Sequence, residues 1–118
     1  LLVEEDDLLA RFIQHRLQRE RFEVLHFRDG SEVLSSIVDI PLSFVLLDTE
    51  LPGMDGFELL ERFRQLPSFS RIPVLLLLDS RSEADVVRGF SLGANDYIEK
   101  PFSSVELLTR IYQYLKRF

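Results

Sequence analysis

Phe44-Val45-Leu46-Leu47-Asp48-Thr49-Glu50-Leu51-Pro52-Gly53-Met54-Asp55-Gly56 is the stretch whose reading fixes the fold class. An apolar run ends on one carboxylate and then breaks into a Pro-Gly turn. The unbroken run from Phe44 to Leu47 suits a parallel strand covered on both faces. In open α/β sheets, ligands collect just beyond the carboxyl ends of such strands. Asp48 is therefore the first candidate for chemistry.

Working outward, apolar runs alternate with helical patterns along the whole chain, the signature of βαβ units around a parallel sheet. Leu1 to Val3 reads as a first strand, followed by a helix over about Asp7 to Glu20 with Leu9, Phe12, Ile13 and Leu17 inward. Phe22 to Phe27 alternates as a second strand, Asp29-Gly30-Ser31 turns the chain, and Val33, Leu34, Ile37 and Val38 mark a second helix. Phe44 to Leu47 is the third strand. A third helix carries Phe57, Leu59, Leu60, Phe63 and Leu66 and stops at Pro67. Pro73 to Leu78 is a wholly apolar fourth strand. The helix over about Ser82 to Ser91 places Val86, Val87 and Phe90 on one face, with Gly93 suited to a left-handed cap. Tyr97-Ile98 is a short fifth strand, and Ser104 caps a last helix with Val105, Leu107, Leu108, Ile111 and Leu115.

The 118 residues suffice for one domain, residues 1–118, and not for two. Hydrophobic residues at 46% and charged residues at 29% describe an ordinary soluble globular chain rather than a disordered one. No apolar run is long enough to span a membrane. The absence of cysteine excludes disulfides and thiolate metal sites and fits a reducing compartment, so the cytoplasm is the expected location. A net charge of -6 argues against gripping nucleic acid, because phosphate backbones are held by Lys and Arg. Partners are expected to be proteins. The chain opens in a strand without an initiator Met and stops inside an amphipathic helix, which reads as part of a longer protein.

If the strands are parallel, the residues after their ends converge on one edge: Glu4, Glu5 and Asp6, then Asp48, Asp79 and Lys100. Carboxylates crowded together resist ionisation unless a cation compensates them. Such a pocket can hold Mg²⁺ and pass a phosphoryl group to one acid, since phosphoryl transfer asks mainly for positioning and charge neutralisation.

Three motifs in order, Glu4-Glu5, Asp48 with Leu51-Pro52-Gly53-Met54-Asp55-Gly56, and Gly93-Ala94-Asn95-Asp96-Tyr97-Ile98-Glu99-Lys100-Pro101-Phe102, carry a resemblance. The chain resembles the CheY-like receiver domain of two-component response regulators over essentially its whole length. The resemblance implies a single (βα)5 flavodoxin-like doubly wound parallel sheet of strand order 2-1-3-4-5. It implies that Asp48 accepts a phosphoryl group from a histidine kinase or phosphotransfer protein, with Lys100 pairing to that group through a Lys-Pro bond that is often cis in the family. Glu5, Asp48 and the backbone carbonyl of Glu50 would ligate Mg²⁺, with Glu4 assisting through water. Tyr97 falls where the family keeps an aromatic switch that signals to the last helices. An output domain beyond Phe118 and a homodimer fit the same family, and only self-phosphorylation and autodephosphorylation would count as enzymatic.

Two positions depart from the family pattern. Glu5 stands where Asp is the usual direct metal ligand, one methylene longer for an ion strict about geometry, with Asp6 as an alternative. The fourth strand offers Leu78 and Asp79 where a Thr or Ser and then a small residue are usual, so the switch hydroxyl is missing unless a shift of register brings in Ser80. Asp79 would also set a negative charge beside a phosphoryl group.

Other polar residues have ordinary expected roles. Asp55 caps the third helix, the Glu4 to Asp7 acids complement the first helix's positive end, and His15 and His26 have no metal-spaced partner. Arg11, Arg16, Arg19 and Arg21 form a solvated face. Three functions compete: a phosphorylated signalling receiver; a phosphorylation-independent interaction module using the face around Tyr97, Arg110 and Tyr112; and a metal-dependent phosphohydrolase using the acids of Asp48-Thr49-Glu50, for which 118 residues leave no substrate cap.

Overall fold

The protein is described from a computed structural model over residues 1–79 and 82–115. Ser80, the alternative switch hydroxyl, lies outside the described residues. Five strands form one sheet in the order β2-β1-β3-β4-β5: β1 (Leu2–Val3), β2 (His26–Phe27), β3 (Val45–Asp48), β4 (Val74–Leu78) and β5 (Asp96–Glu99). All four pairings are parallel, with Leu2 opposite Leu46, Asp48 opposite Leu77 and Leu78 opposite Glu99. The helices are α1 (Asp7–Arg19), α2 (Val33–Ser36), α3 (Gly56–Gln65), α4 (Glu83–Ser91) and α5 (Ser104–Leu115).

The alternation of side chains along a strand divides the interior in two. Val3, Val45, Leu47, Val74, Leu76 and Leu78 pack with Val33, Ile37, Phe57, Leu60 and Phe63 of the α2–α3 side. Leu2, Leu46, Leu75, Leu77 and Ile98 pack with Ala10, Ile13 and Leu17 of α1 and Leu107, Leu108 and Ile111 of α5. Strands buried on both faces read as continuous apolar runs, which is why β3 and β4 are plain in the sequence.

Several elements differ from the sequence reading. Only His26–Phe27 of the expected Phe22 to Phe27 strand pairs in the ladder, because β2 is the sheet edge and the preceding chain leaves a turn with Arg21 at φ 67°. Phe12 is exposed, its ring lying 6.5 Å from that of Phe102 rather than in the core. Helix α2 ends at Ser36, which leaves Val38 outside. Ser103, not Ser104, caps α5: its Oγ accepts the Glu106 N–H at 3.1 Å.

Helix α4 is the largest departure. Val86 packs against the core as expected, but Val87 and Phe90 are 62% and 47% exposed, and the helix approaches the sheet closely at Gly89, where a Cβ would come within 2.5 Å of Leu76 Cδ1. Other signals hold: Gly93 at φ 108° ends α4, and Asp55 Oδ1 accepts the Glu58 N–H at 2.9 Å to start α3. Arg64 of α3 ties the lower loops, donating to the carbonyls of Gly93 (2.9 Å), Phe69 (3.0 Å) and Ile72 (2.6 Å) and to Asn95 Oδ1 (2.9 Å).

Candidate functional site

Parallel strands bring their carboxyl ends to one rim, and there the structure gathers Glu4, Asp48, Asp79 and Lys100. Asp48 closes β3, Asp79 follows β4 and Lys100 follows β5. The Lys100 N–H donates to the Leu78 carbonyl at 2.8 Å, continuing the β4–β5 ladder one step further, and the Lys100-Pro101 bond is cis.

The Lys100 ammonium is the centre of the cluster. Its Nζ lies 2.8 Å from Asp48 Oδ2, 2.9 Å from Glu4 Oε1 and 3.3 Å from Asp79 Oδ1. Glu4 and Asp48 are only 1% and 3% exposed, so this is a buried carboxylate pair closed by one cation. Asp48 Oδ1 accepts the Glu50 N–H at 3.0 Å, and Glu4 Oε2 accepts the Asp6 N–H at 3.0 Å. The carboxylates are thereby oriented by the backbone turns that follow their own strands.

Burial, and then the neighbouring Asp48, raise the Glu4 carboxyl from 4.5 to about 7. For Lys100, burial opposes the charge, but the hydrogen bond donated to Asp48 and the close Glu4 carboxyl group overcome it and hold the ammonium above its ordinary value. At the mouth, a hydrogen bond between the Asp79 and Glu50 carboxyl groups holds Asp79 below the usual carboxylate range and raises Glu50. The two acids at the mouth thus divide their roles: Asp79 keeps its charge and Glu50 holds its proton more tightly.

Glu5 behaves differently. Its side chain is exposed, and its carbonyl lies 3.4 Å from the Arg28 guanidinium, which also pairs with Asp7 at 3.0 Å. Asp6 caps α1 through Oδ1, accepting from the N–H groups of Leu8 and Leu9, and so is committed to the helix. His26 Nε2 donates to the Glu4 carbonyl at 2.9 Å, a structural contact. Leu78 is 1% exposed in the α2–α3 core, and Tyr97 sits half-buried with its ring edge-on to Phe90 at 6.2 Å. Arg28 is the rim residue the sequence reading overlooked. It follows β2 immediately, so the rule that singled out Asp48 would have found it too.

Against a divalent cation the donor set matches in chemistry more than in arrangement. Among the described residues no three His, Cys, Asp or Glu side chains converge as a metal-holding group. Yet Glu4 Oε1, although 2.9 Å from Lys100 Nζ, makes no hydrogen bond of ordinary geometry and is the buried side-chain polar atom left unsatisfied among the described residues. The carboxylate oxygens of Glu4 and Asp48, both held close to Lys100 Nζ, are hard ligands of the kind Mg²⁺ takes. The residues fit the ion in chemistry.

The sequence pattern of the response regulator receiver domain matches residues 1–112. The chain belongs to this receiver domain family. The family's members are signalling modules, generally not enzymes, whose general role is to be phosphorylated by histidine kinases. The chain is 36% identical to the phosphate regulon transcriptional regulatory protein PhoB of Rhizobium meliloti (strain 1021), covering 98% of this chain and 51% of that protein. It is 38% identical to the sensory transduction protein RegX3 of Mycobacterium bovis, over 99% of this chain and 50% of that one. The chain thus spans about half the length of the curated relatives it matches. Among solved structures, a response regulator from Chloroflexus aurantiacus superposes with a TM-score of 0.92 at 34% identity, covering 98% of this chain and 95% of that one. The receiver domain of a sensor histidine kinase from Pseudomonas aeruginosa PAO1, described with a magnesium ion coordinated in its active-site cleft, superposes with a TM-score of 0.89 at 25% identity, covering 98% and 95% of the two chains. No helix among the described residues is long and apolar enough to cross a membrane.

Proposed function

We propose that this receiver domain accepts a phosphoryl group on Asp48 from a histidine kinase or phosphotransfer protein. The observation that carries the reading is the buried Asp48 carboxylate held 2.8 Å from the Lys100 ammonium at the carboxyl rim of the sheet. The Glu50 N–H orients Asp48 through Oδ1, so the attacking carboxylate is positioned before a donor arrives. Lys100 would neutralise charge on the oxygens of the incoming group. Glu4, Glu5, Asp48 and the Glu50 carbonyl would hold Mg²⁺, which supplies further neutralisation when bound. Signalling would leave through the face of α4, β5 and α5, with Tyr97 and Leu78 at the switch positions and an output domain or a second copy as recipient. A cytoplasmic setting follows from this role.

A second reading is favoured by one observation. Leu78 is sealed in the core where the family pattern has a hydroxyl, so the usual donor to a phosphoryl oxygen is lacking. A phosphorylation-independent interaction module would need none. Incubation with Mg²⁺ and a small acyl phosphate, followed by intact mass measurement, separates the two. A phosphoryl adduct that is absent from Asp48→Asn supports the receiver, and unmodified protein with weak Mg²⁺ affinity supports the interaction module.

A further inference from the structure

An ammonium has three N–H donors, and Lys100 already faces three carboxylates. Nζ hydrogen-bonds Asp48 Oδ2 and lies within ion-pair distance of Glu4 Oε1 and Asp79 Oδ1, so a phosphoryl oxygen that is to pair with Lys100 competes with these carboxylates for it. The three contacts are unequal. Asp48 and Glu4 lie at 2.8 and 2.9 Å with side chains 5% and 1% exposed, whereas Asp79 lies at 3.3 Å with its side chain 51% exposed. The longest and wettest ion pair is the weakest, because solvent screens it. Asp79 also leaves β4, the strand flanked by those of Asp48 and Lys100, so a displaced carboxylate stays at the mouth. Leu78, the residue before it, offers no donor in return.

We infer that Asp79 is a specificity-determining residue of this site: it occupies the place on Lys100 that a phosphoryl oxygen needs and disfavours donors in proportion to their negative charge. The inference rests on the reading of Asp48 as phosphoacceptor. In the step concerned, an Asp48 oxygen forms a bond to phosphorus. The bond from phosphorus to the donor's leaving group breaks, and its electron pair departs with that group, as acetate from acetyl phosphate or as ammonia from the ammonium form of phosphoramidate. A dianionic donor meets both the competition for Lys100 and the repulsion of the displaced carboxylate. A zwitterionic donor with one net negative charge meets less of each.

The test compares wild type, Asp79→Asn and Asp79→Ala in Mg²⁺, with acetyl phosphate as the dianion and phosphoramidate as the less charged probe, and measures initial rates of adduct formation by intact mass. Asp79→Asn keeps the size of a half-exposed side chain, and circular dichroism verifies its fold. Acceptance from acetyl phosphate should rise roughly three- to tenfold in both variants, while acceptance from phosphoramidate changes less than about twofold. A merely structural role for Asp79 would move both rates together. An adduct on wild-type Asp48 with an unchanged ratio of the two rates overturns the inference and leaves the phosphoacceptor reading standing. No adduct on Asp48 in any of the three proteins overturns both.

Discussion

Glu4→Gln should stabilise this domain at alkaline pH, although it removes a residue of the candidate site. Glu4 is 1% exposed, and burial followed by contact with Asp48 raises its carboxyl from 4.5 to about 7. Each tenfold change in proton affinity is worth about 1.4 kcal/mol, so ionising Glu4 removes about 3 kcal/mol from the folded state. The folded protein holds this proton more tightly than the unfolded chain, so stability falls as pH climbs from about 4.5 to about 7 and stays low above that window. Glutamine keeps the shape and an oxygen to accept the Asp6 N–H, and it leaves Lys100 with Asp48 and Asp79. Urea unfolding followed by circular dichroism, from pH 4.5 to 8.5 with a chelator present, should show near-equal stabilities at the acid end. The variant should then gain a lead that grows to about 2–3 kcal/mol at the alkaline end. Parallel stability curves, or a variant that falls below wild type as pH rises, would refute the assignment of an uncomfortable buried carboxylate.

Two further outcomes follow from the packing. Arg64→Met should cost about 2–4 kcal/mol in urea unfolding, since it strips donors from three carbonyls and from Asn95 Oδ1 at the base of the sheet; a loss under about 0.5 kcal/mol would mean water replaces the guanidinium freely. Gly56→Ala should cost about 2 kcal/mol or more in thermal unfolding, because its Cβ would fall 2.1 Å from the Asp48 carbonyl oxygen and 2.6 Å from Thr49 Cα, neither of which can move without the loop.

How far the sequence could be read depended on what each segment buries. Strands β3 and β4 are covered on both faces, so their apolar runs stand out, and the acid and lysine just past the strand ends mark the rim. The edge strand β2 pairs over two residues, too few for alternation to define. Helix α4 misleads because amphipathic periodicity assumes that large side chains make the contact, whereas Gly89 lets the backbone approach Leu76 and turns Val87 and Phe90 outward. At the site, Asp48, Glu4 and Lys100 were legible as residues that follow strands. The exposure of Glu5 and the pairing of Asp79 with Glu50 depend on turn geometry and side-chain competition that spacing does not encode.

The sheet acts as a bulkhead. Its odd and even side chains feed separate hydrophobic compartments, one against α2 and α3 and the other against α1 and α5. Core substitutions on opposite sides, such as Leu60→Ala and Ile111→Val, fall in different clusters, so their energetic penalties should sum, whereas pairs in contact within one compartment should not. An engineer can therefore repack either half while leaving the other as it stands.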